Sequence, residues 1–268
     1  MVDWVDASAV MPETGPGSGV SQIWLLIETS GRIGQVGLAY GGEVVLSRLL
    51  DPSRRHARDL APTVVELLQQ AGIAPSACAG VMVSLGPGSF TALRVGVMSA
   101  KTFAYATGCA LRAVPTFAAV AEQAPPTSTP LWVVADALRG QVYAQLFRHS
   151  SPGWEAETDL LLLPWEQWHS QVAADAFVSG PAALQAVERW PELALTPPQT
   201  HHPTLAGLYA AGVRLSDLPR SELFALEPLY IRPSYAEEQR RGKIANLGEQ
   251  GTDPSFSAGG DKQASQES

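Results

Sequence analysis

The sequence predicts an α/β protein with two related lobes, each built from a mixed sheet that carries helices. Three strand-like segments joined by hairpin signals open the body of the chain, which indicates an antiparallel meander. Helix-like and strand-like segments then alternate, as they do in proteins that pack helices on a sheet. The same order, βββαβα, recurs more faintly in the second half of the chain. A duplicated βββαβα unit is therefore the expected architecture.

Composition and charge exclude several classes of protein. Of the 268 residues, 46% are hydrophobic, which is enough to form a core and excludes disorder of the whole chain. The longest apolar stretches are far shorter than the ~20 residues that cross a bilayer. Lys and Arg number 18 against 26 Asp and Glu, a formal net charge of −8 that suits the chain poorly to holding nucleic acid alone. The only cysteines, Cys78 and Cys109, lack a CxxC spacing and favour a reducing cytoplasm.

Composition also divides the chain into four expected parts. Residues 1–22 are rich in Pro, Gly and Ser, and residues 241–268 have almost no apolar content, so both extensions are expected to be disordered. Between them, residues 23–118 form the expected first lobe and residues 119–240 the second.

The first lobe is predicted to hold a three-stranded meander followed by two helices and two further strands. Gly41-Gly42 is a hairpin signal, because both positions tolerate positive φ. Apolar residues from Leu60 onward follow helical spacing, while Pro62 indicates that the first turn is kinked or begins later. The expected strands are 23–27, 35–40, 43–50, 80–85 and 110–114, and the expected helices are 57–71 and 91–107.

The second lobe is predicted from weaker versions of the same signals. A tight Leu138-Arg139-Gly140 turn joins its first two strands. The expected strands are 131–136, 141–148, 158–163 and 177–179, and the expected helices are 165–174 and 182–190.

Two polar segments follow strands of the first lobe. Gly86-Pro87-Gly88-Ser89 leads from a strand into a helix, whose first N–H groups can hold an anion; a plain tight turn is the alternative that the residues alone favour. Glu28-Thr29-Ser30 offers the carboxylate and hydroxyls of a nucleotide–Mg²⁺ site, with an ordinary polar turn as its alternative. The candidate nucleotide or anion loop, a vestigial one, comprises Glu28, Thr29, Ser30, Gly86, Gly88, Ser89, Thr91 and Arg94.

Other catalytic chemistry finds little support in the sequence. No Gly-Lys-Ser/Thr follows the glycine turn, so it is not a Walker A loop, and neither His-Glu-x-x-His nor Gly-x-Ser-x-Gly occurs. Asp136 stands at a strand end, where it either acts in catalysis or, as is more frequent, stabilises a hairpin turn. No catalytic residue and no metal ligand is therefore assigned.

Taken in order, five segments resemble motifs of the bacterial TsaB (YeaZ-type) family. The most diagnostic is Gly86 to Gly96, GPGSFTALRVG, which is similar to the family's Gly-Pro-Gly-Ser-Phe-Thr-Gly-Leu-Arg-Ile-Gly, with Ala92 in place of a glycine. Glu28 stands where the family commonly has Asp. The other segments are Leu25 to Ser30, His56 to Pro62, Asp136 to Tyr143, and Tyr230-Ile231-Arg232-Pro233.

The resemblance implies an actin/Hsp70/sugar-kinase-like (ASKHA) fold and a non-catalytic accessory subunit. The family supports transfer of a threonylcarbamoyl group to N6 of adenosine 37 in tRNAs that read ANN codons. Its partners are the catalytic subunit TsaD and the ATPase TsaE, so no cofactor of this chain's own is expected, and ATP and metal are expected on the partner subunits. TsaD carries a metal-binding His-x-x-x-His, and the matching positions here are His56 and Leu60.

The resemblance also implies docking through the helices near 57–71 and 91–107, which could serve a TsaD-type partner or a homodimer. Amphipathic spacing by itself gives core packing as the better alternative for the same stripe. An ATP-dependent phosphotransferase that uses Glu28, and less plausibly a peptidase, are the alternative functions. The predicted interface residues are Leu60, Val64, Leu67, Leu68, Ala71, Leu93, Val97, Ala100 and Ala104.

Overall fold

The computed structural model describes residues 22–51 and 56–229, without the side chains of residues 56 and 57. All of these residues belong to one compact unit. The segment Tyr230-Ile231-Arg232-Pro233 and both predicted extensions lie outside the described residues, apart from residue 22. No helix in the described ranges is long and apolar enough to cross a membrane.

The first half of the chain forms a five-stranded mixed sheet. Its strands are β1 (Trp24–Glu28), β2 (Gln35–Tyr40), β3 (Glu43–Leu49), β4 (Gly80–Gly86) and β5 (Ala110–Pro115). Their order across the sheet is β3-β2-β1-β4-β5, with antiparallel pairing among β1, β2 and β3 and parallel pairing of β4 with β1 and β5. Every residue of β1 is buried, because this central strand is covered on both faces.

Two helices cover one face of this sheet, α1 (His56–Gln70) and α2 (Phe90–Thr107). Their apolar stripes join side chains of the sheet in one core cluster. Pro62 lies inside α1, so the expectation that the helix begins later is wrong. Helix α2 ends at Gly108, whose φ of 76° is the left-handed conformation that glycine adopts most readily, and whose N–H bonds back to the Ala104 carbonyl.

The second sheet repeats the arrangement of the first. Its strands are β6 (Leu131–Asp136), β7 (Gln141–Ser150), β8 (Gly153–Ala156), β9 (Leu161–Pro164), β10 (Phe177–Ser179) and β11 (Ala194–Leu195). The order is β11-β10-β6-β7-β8, and β9 also pairs with β7. Because β6 is antiparallel to β7 and parallel to β10, it takes the place that β1 has in the first sheet. The predicted duplication is confirmed, with α4 (Trp165–His169) and α5 (Ala183–Arg189) as its shorter helices.

Two helices that the sequence reasoning missed lie where the two sheets meet, α3 (Thr116–Ala121) and α6 (Leu205–Gly212). Helix α6 packs on the face of the first sheet opposite α1 and α2, and α3 contributes side chains to the clusters of both sheets. At Gly207 a side chain would collide with the Ala119 carbonyl, so this glycine permits the close approach of the two helices.

The chain after α6 also returns to the first sheet. The Leu218 N–H bonds to the Leu111 carbonyl and the Leu229 N–H to the Leu85 carbonyl, each at 2.8 Å. We call residues 218–229 the strap. The expected second lobe comprises residues 119–240. Within that range, however, α6 and the strap pack on the first sheet and bury part of its apolar surface.

Candidate functional site

The loop after β1 buries its acidic side chain. Glu28 is 1% exposed, and its Oε1 accepts hydrogen bonds from the Ser30 N–H at 2.6 Å and from the Ser30 hydroxyl. Its Oε2 and the Thr29 hydroxyl have no hydrogen-bond partner. Burial raises the pKa of Glu28 above its ordinary value, while the hydrogen bonds from Ser30 oppose the rise. The carboxyl group therefore faces the protein interior.

The glycine turn packs directly on this loop. The Ser89 N–H donates a 2.8 Å hydrogen bond to the Ser30 carbonyl, and a Cβ added at Gly88 would collide with the same carbonyl oxygen. Ser30 is therefore in direct contact with both Gly88 and Ser89. The structure brings the two segments of the predicted nucleotide or anion loop together, but as a closed contact.

The remaining residues of that loop lie at the start of α2. Thr91 and Arg94 are both exposed, and the Arg94 guanidinium lies 4.2 Å from the centroid of the Phe90 ring. Ser89 is the N-cap residue, but its side chain makes no capping hydrogen bond. A hydrated metal ion on Glu28 would need an accessible carboxylate. This geometry disfavours the phosphotransferase alternative.

Asp136 stabilises a turn, as the commoner interpretation predicted. Its Oδ1 accepts a 2.8 Å hydrogen bond from the Leu138 N–H, and the next residues form the tight β6–β7 hairpin. Leu138 and Arg139 have positive φ values of 61° and 53°, which side chains disfavour. Among the described residues, no three His, Cys, Asp or Glu side chains are grouped as a metal site would require.

The predicted interface stripe lies in the core of the chain, so the core alternative describes its packing. Leu60 is 1% exposed, and seven of the other eight residues are also buried, Ala71 being half-buried. A partner cannot touch these side chains without opening the core. A charged substitution at Leu60 would therefore destabilise the fold and could not test docking.

The outward faces of the same helices expose other apolar side chains, which the sequence reasoning missed. Val65 on α1 is 51% exposed, and Met98 and Tyr105 on α2 are 59% and 63% exposed. Met98 and Tyr105 are seven residues apart and therefore share one face of α2. The signal available in the sequence was the presence of large apolar residues outside the amphipathic stripe.

The strap extends this outward face. The Phe224 ring contacts Tyr105 edge-on at a centroid distance of 5.3 Å, and the Phe224 side chain is 69% exposed. Lys101, which is buried, holds the strap by donating hydrogen bonds to the carbonyls of Phe224 and Leu226 at 2.7 and 2.9 Å. We call Val65, Met98, Tyr105 and Phe224 the outer apolar face.

Comparisons with known proteins agree with this fold. A family model described as TsaD: tRNA N6-adenosine threonylcarbamoyltransferase matches residues 50–151. The chain is 29% identical to the tRNA threonylcarbamoyladenosine biosynthesis protein TsaB of Bacillus subtilis over 127 residues, which is 47% of this chain and 56% of that protein. It is 32% identical to an uncharacterized protein of Mycobacterium tuberculosis over 193 residues, 70% of this chain and 81% of the relative.

Solved structures give the same relationship. YeaZ from Pseudomonas aeruginosa superposes with a TM-score of 0.64 at 25% identity, covering 78% of this chain and 100% of that one. A second structure, of an uncharacterized protein with similarity to peptidase YEAZ from Pseudomonas aeruginosa, has a TM-score of 0.67 at 26% identity and covers 79% and 100%. With the duplicated βββαβα topology, these matches establish a two-lobed ASKHA fold. The chain therefore belongs to the TsaB (YeaZ-type) family.

Proposed function

We propose that this chain is a non-catalytic accessory subunit in the synthesis of threonylcarbamoyladenosine in tRNA. In this role it binds a TsaD-type catalytic subunit and supports transfer of the threonylcarbamoyl group to N6 of the tRNA adenosine. Similarity to a protein named for this biosynthesis and to the TsaD family model supports the assignment. The observation that carries it is the outer apolar face on α1, α2 and the strap.

The outer apolar face suits a protein partner. Exposed aromatic and methionine side chains are enriched at protein–protein interfaces and can act as anchors there. Helices present such side chains to a partner helix in ridges and grooves. We assign the face to the TsaD-type subunit; a second copy of this chain is the competing occupant.

In the proposed complex the subunit acts through the free energy of its binding to the catalytic subunit. A subunit that binds one conformation of its partner better than another shifts the partner toward that conformation. Leu60 occupies the position that matches the second histidine of the TsaD metal motif, and Glu28 is buried. Both observations support the assignment of ATP and metal binding to the partner subunits. A TsaE-type ATPase would join the assembly in the cytoplasm. The acidic charge of the chain favours contact with tRNA through the complex.

Titration calorimetry with the TsaD-type protein of the same organism tests the docking surface. Met98→Asp and Tyr105→Asp each place a carboxylate in the proposed interface, and each should weaken binding by about thirtyfold or more. Leu184→Asp is the matched control, because Leu184 is 59% exposed on α5 and outside the face. Wild-type affinity in both face variants would overturn the docking surface.

A genetic measurement tests the function itself. Deletion of the gene should lower threonylcarbamoyladenosine in total tRNA, and the wild-type chain and Leu184→Asp should restore it. Met98→Asp should restore it poorly. Undiminished modification in a deletion strain without a second copy of the gene would refute the function. If the face variants abolished only self-association, the homodimer would be the occupant.

A further inference from the structure

A cavity of about 270 Å³ lies at one end of the second sheet, away from the outer apolar face. Leu131 and Phe177, which begin β6 and β10 and pair in register, line it together with Leu195 of β11. Trp154 of β8 supplies a second aromatic ring to the lining. The cavity thus lies where β6 and β10 begin, with β8 and β11 on its sides, and it is partly open to solvent.

The aromatic side of the cavity is fixed in place without a ligand. The Trp154 indole N–H donates to the Ala124 carbonyl at 3.3 Å, and its backbone N–H donates to Glu122 Oε1 at 2.9 Å. Its carbonyl accepts a 2.9 Å hydrogen bond from Arg214, which also pairs with Glu122. Because the Trp154 side chain is already held in place, its ordering adds little conformational-entropy cost when a molecule binds.

Thr196, another lining residue, is also held by hydrogen bonds of its own. The hydroxyl of Thr196, which is 5% exposed, accepts a 2.8 Å hydrogen bond from the Thr200 hydroxyl. Its carbonyl is hydrogen-bonded to the His201 ring at 2.9 Å. These contacts hold the loop after β11 against the cavity, and they lie on residues that the proposed function does not use.

The lining determines the chemistry of an occupant. No charged side chain lines the cavity, and its polar side chains are the hydroxyl groups of Thr127 and Thr196. Without compensating partners, an anion or a nucleotide phosphate would be strongly disfavoured there. A cavity of about 150 Å³ lined by apolar side chains suffices to bind benzene. A cavity of about 270 Å³ has room for such a ring and a small substituent.

We infer that this cavity is a binding site for a small neutral molecule, an aromatic or aliphatic ring carrying at most one hydroxyl or amide group. The ring packs between Trp154 and Phe177, and the polar substituent reaches the hydroxyl of Thr127 or Thr196. The site is independent of docking, because it shares no residue with the outer apolar face.

Fluorine NMR on the full chain tests the site with 4-fluorobenzyl alcohol as the probe and 4-fluorobenzoate as its charged counterpart. The alcohol should bind and the benzoate should bind at least about tenfold more weakly, because the cavity offers no cation. No binding of the alcohol, or equal binding of the two probes, would overturn the proposal.

Two substitutions that fill the cavity locate the binding. Leu195→Trp and Thr127→Phe, both at half-buried positions, should each weaken binding of the alcohol by about tenfold or more. Leu184→Trp adds the same ring at an exposed position on α5 and should leave binding unchanged. If Leu195→Trp does not fold, as judged by circular dichroism, Thr127→Phe decides. Wild-type affinity in a folded filling variant would place the probe elsewhere and refute this site.

Discussion

The Ser89 N–H donates a hydrogen bond of 2.8 Å to the Ser30 carbonyl, so the start of α2 is bound to the loop after β1. Both residues belong to the segments that the sequence marked as a candidate nucleotide or anion loop. The contact engages the N–H of the N-cap residue of α2. Their direct pairing makes the junction a structural contact between β1, β4 and α2.

Gly88→Ala tests how tightly this junction is packed. The added methyl group would collide with the Ser30 carbonyl, which is backbone and cannot move without disturbing the loop. We expect the free energy of unfolding to fall by about 2 kcal/mol, as for other overpacked sites. Gly31→Ala in the same loop is the control, because its methyl group would meet its nearest atom at an ordinary 3.8 Å. Equal stability of the two variants in urea denaturation would contradict this packing.

Glu28 should make stability depend on pH in a predictable direction. Burial raises the pKa of Glu28 above its ordinary 4.5, so the folded chain holds this proton at pH values where the unfolded chain releases it. The free energy of unfolding therefore falls as pH rises between the ordinary and the raised pKa. Glu28→Gln removes this effect, so its stability relative to wild type should increase with pH over that window.

Denaturation series at several pH values measure this difference. Glu66→Gln removes the same formal charge from an exposed position of α1 and controls for the change in net charge. A difference between Glu28→Gln and wild type that is flat, or that falls with rising pH, would show that folding does not raise the pKa of Glu28.

Cys78 should be an unreactive thiol in the folded chain. Burial, and to a smaller extent the neighbouring Cys109 thiolate, raises the pKa of Cys78 to about 11. At about pH 8 only about one thiol in a thousand is then ionised, and the thiolate is the reactive form. In a Cys109→Ser variant, Ellman's reagent should react at least about a hundredfold more slowly with the native than with the denatured chain. A Cys78→Ser variant gives the labelling rate of Cys109 alone. If Cys78 in the native chain were labelled as fast as in the denatured chain, its burial would be contradicted.

The β6–β7 turn should store backbone strain at Leu138. This exposed residue has a φ of 61°, a conformation that asparagine adopts more readily than leucine and that β-branched residues avoid. We expect Leu138→Asn to raise the free energy of unfolding by about 0.5–1 kcal/mol and Leu138→Val to lower it. Guanidinium denaturation of the two variants measures the difference, and an asparagine variant no more stable than the valine variant would argue against strain.

Prediction from sequence succeeded where the pattern is local. Three predicted strands, 35–40, 131–136 and 177–179, have the observed bounds, and α1 and α2 begin and end within one residue of expectation. Alternation and helical spacing report such elements directly. The helix α3 was missed because nearly all its residues are buried, so its sequence shows no polar face. Helix α6 was missed for a similar reason, with eight residues and no charged side chain.

The candidate site shows the limit of the same reasoning. The motifs around Glu28 and Gly88 placed two loops at strand ends, and the fold brought them together as expected. Whether the space between the two loops is open depends on distances of a few ångströms between Ser30 and Gly88. These residues are 58 positions apart in the sequence, so no local pattern reports such distances. The apolar stripe of α1 and α2 was equally ambiguous, because a core face and a docking face have the same spacing.

By itself, the amino-acid sequence determined the duplicated α/β order, the family motifs and the absence of the second imidazole at Leu60, because these are properties of residues along the chain. Only the tertiary structure decided which apolar residues remain outside. In the folded chain Leu60 and Val64 are buried, whereas Met98 and Tyr105 are exposed. The strap is hydrogen-bonded to strands of the first sheet. Exposure depends on which distant segments cover each face, and no local pattern encodes that.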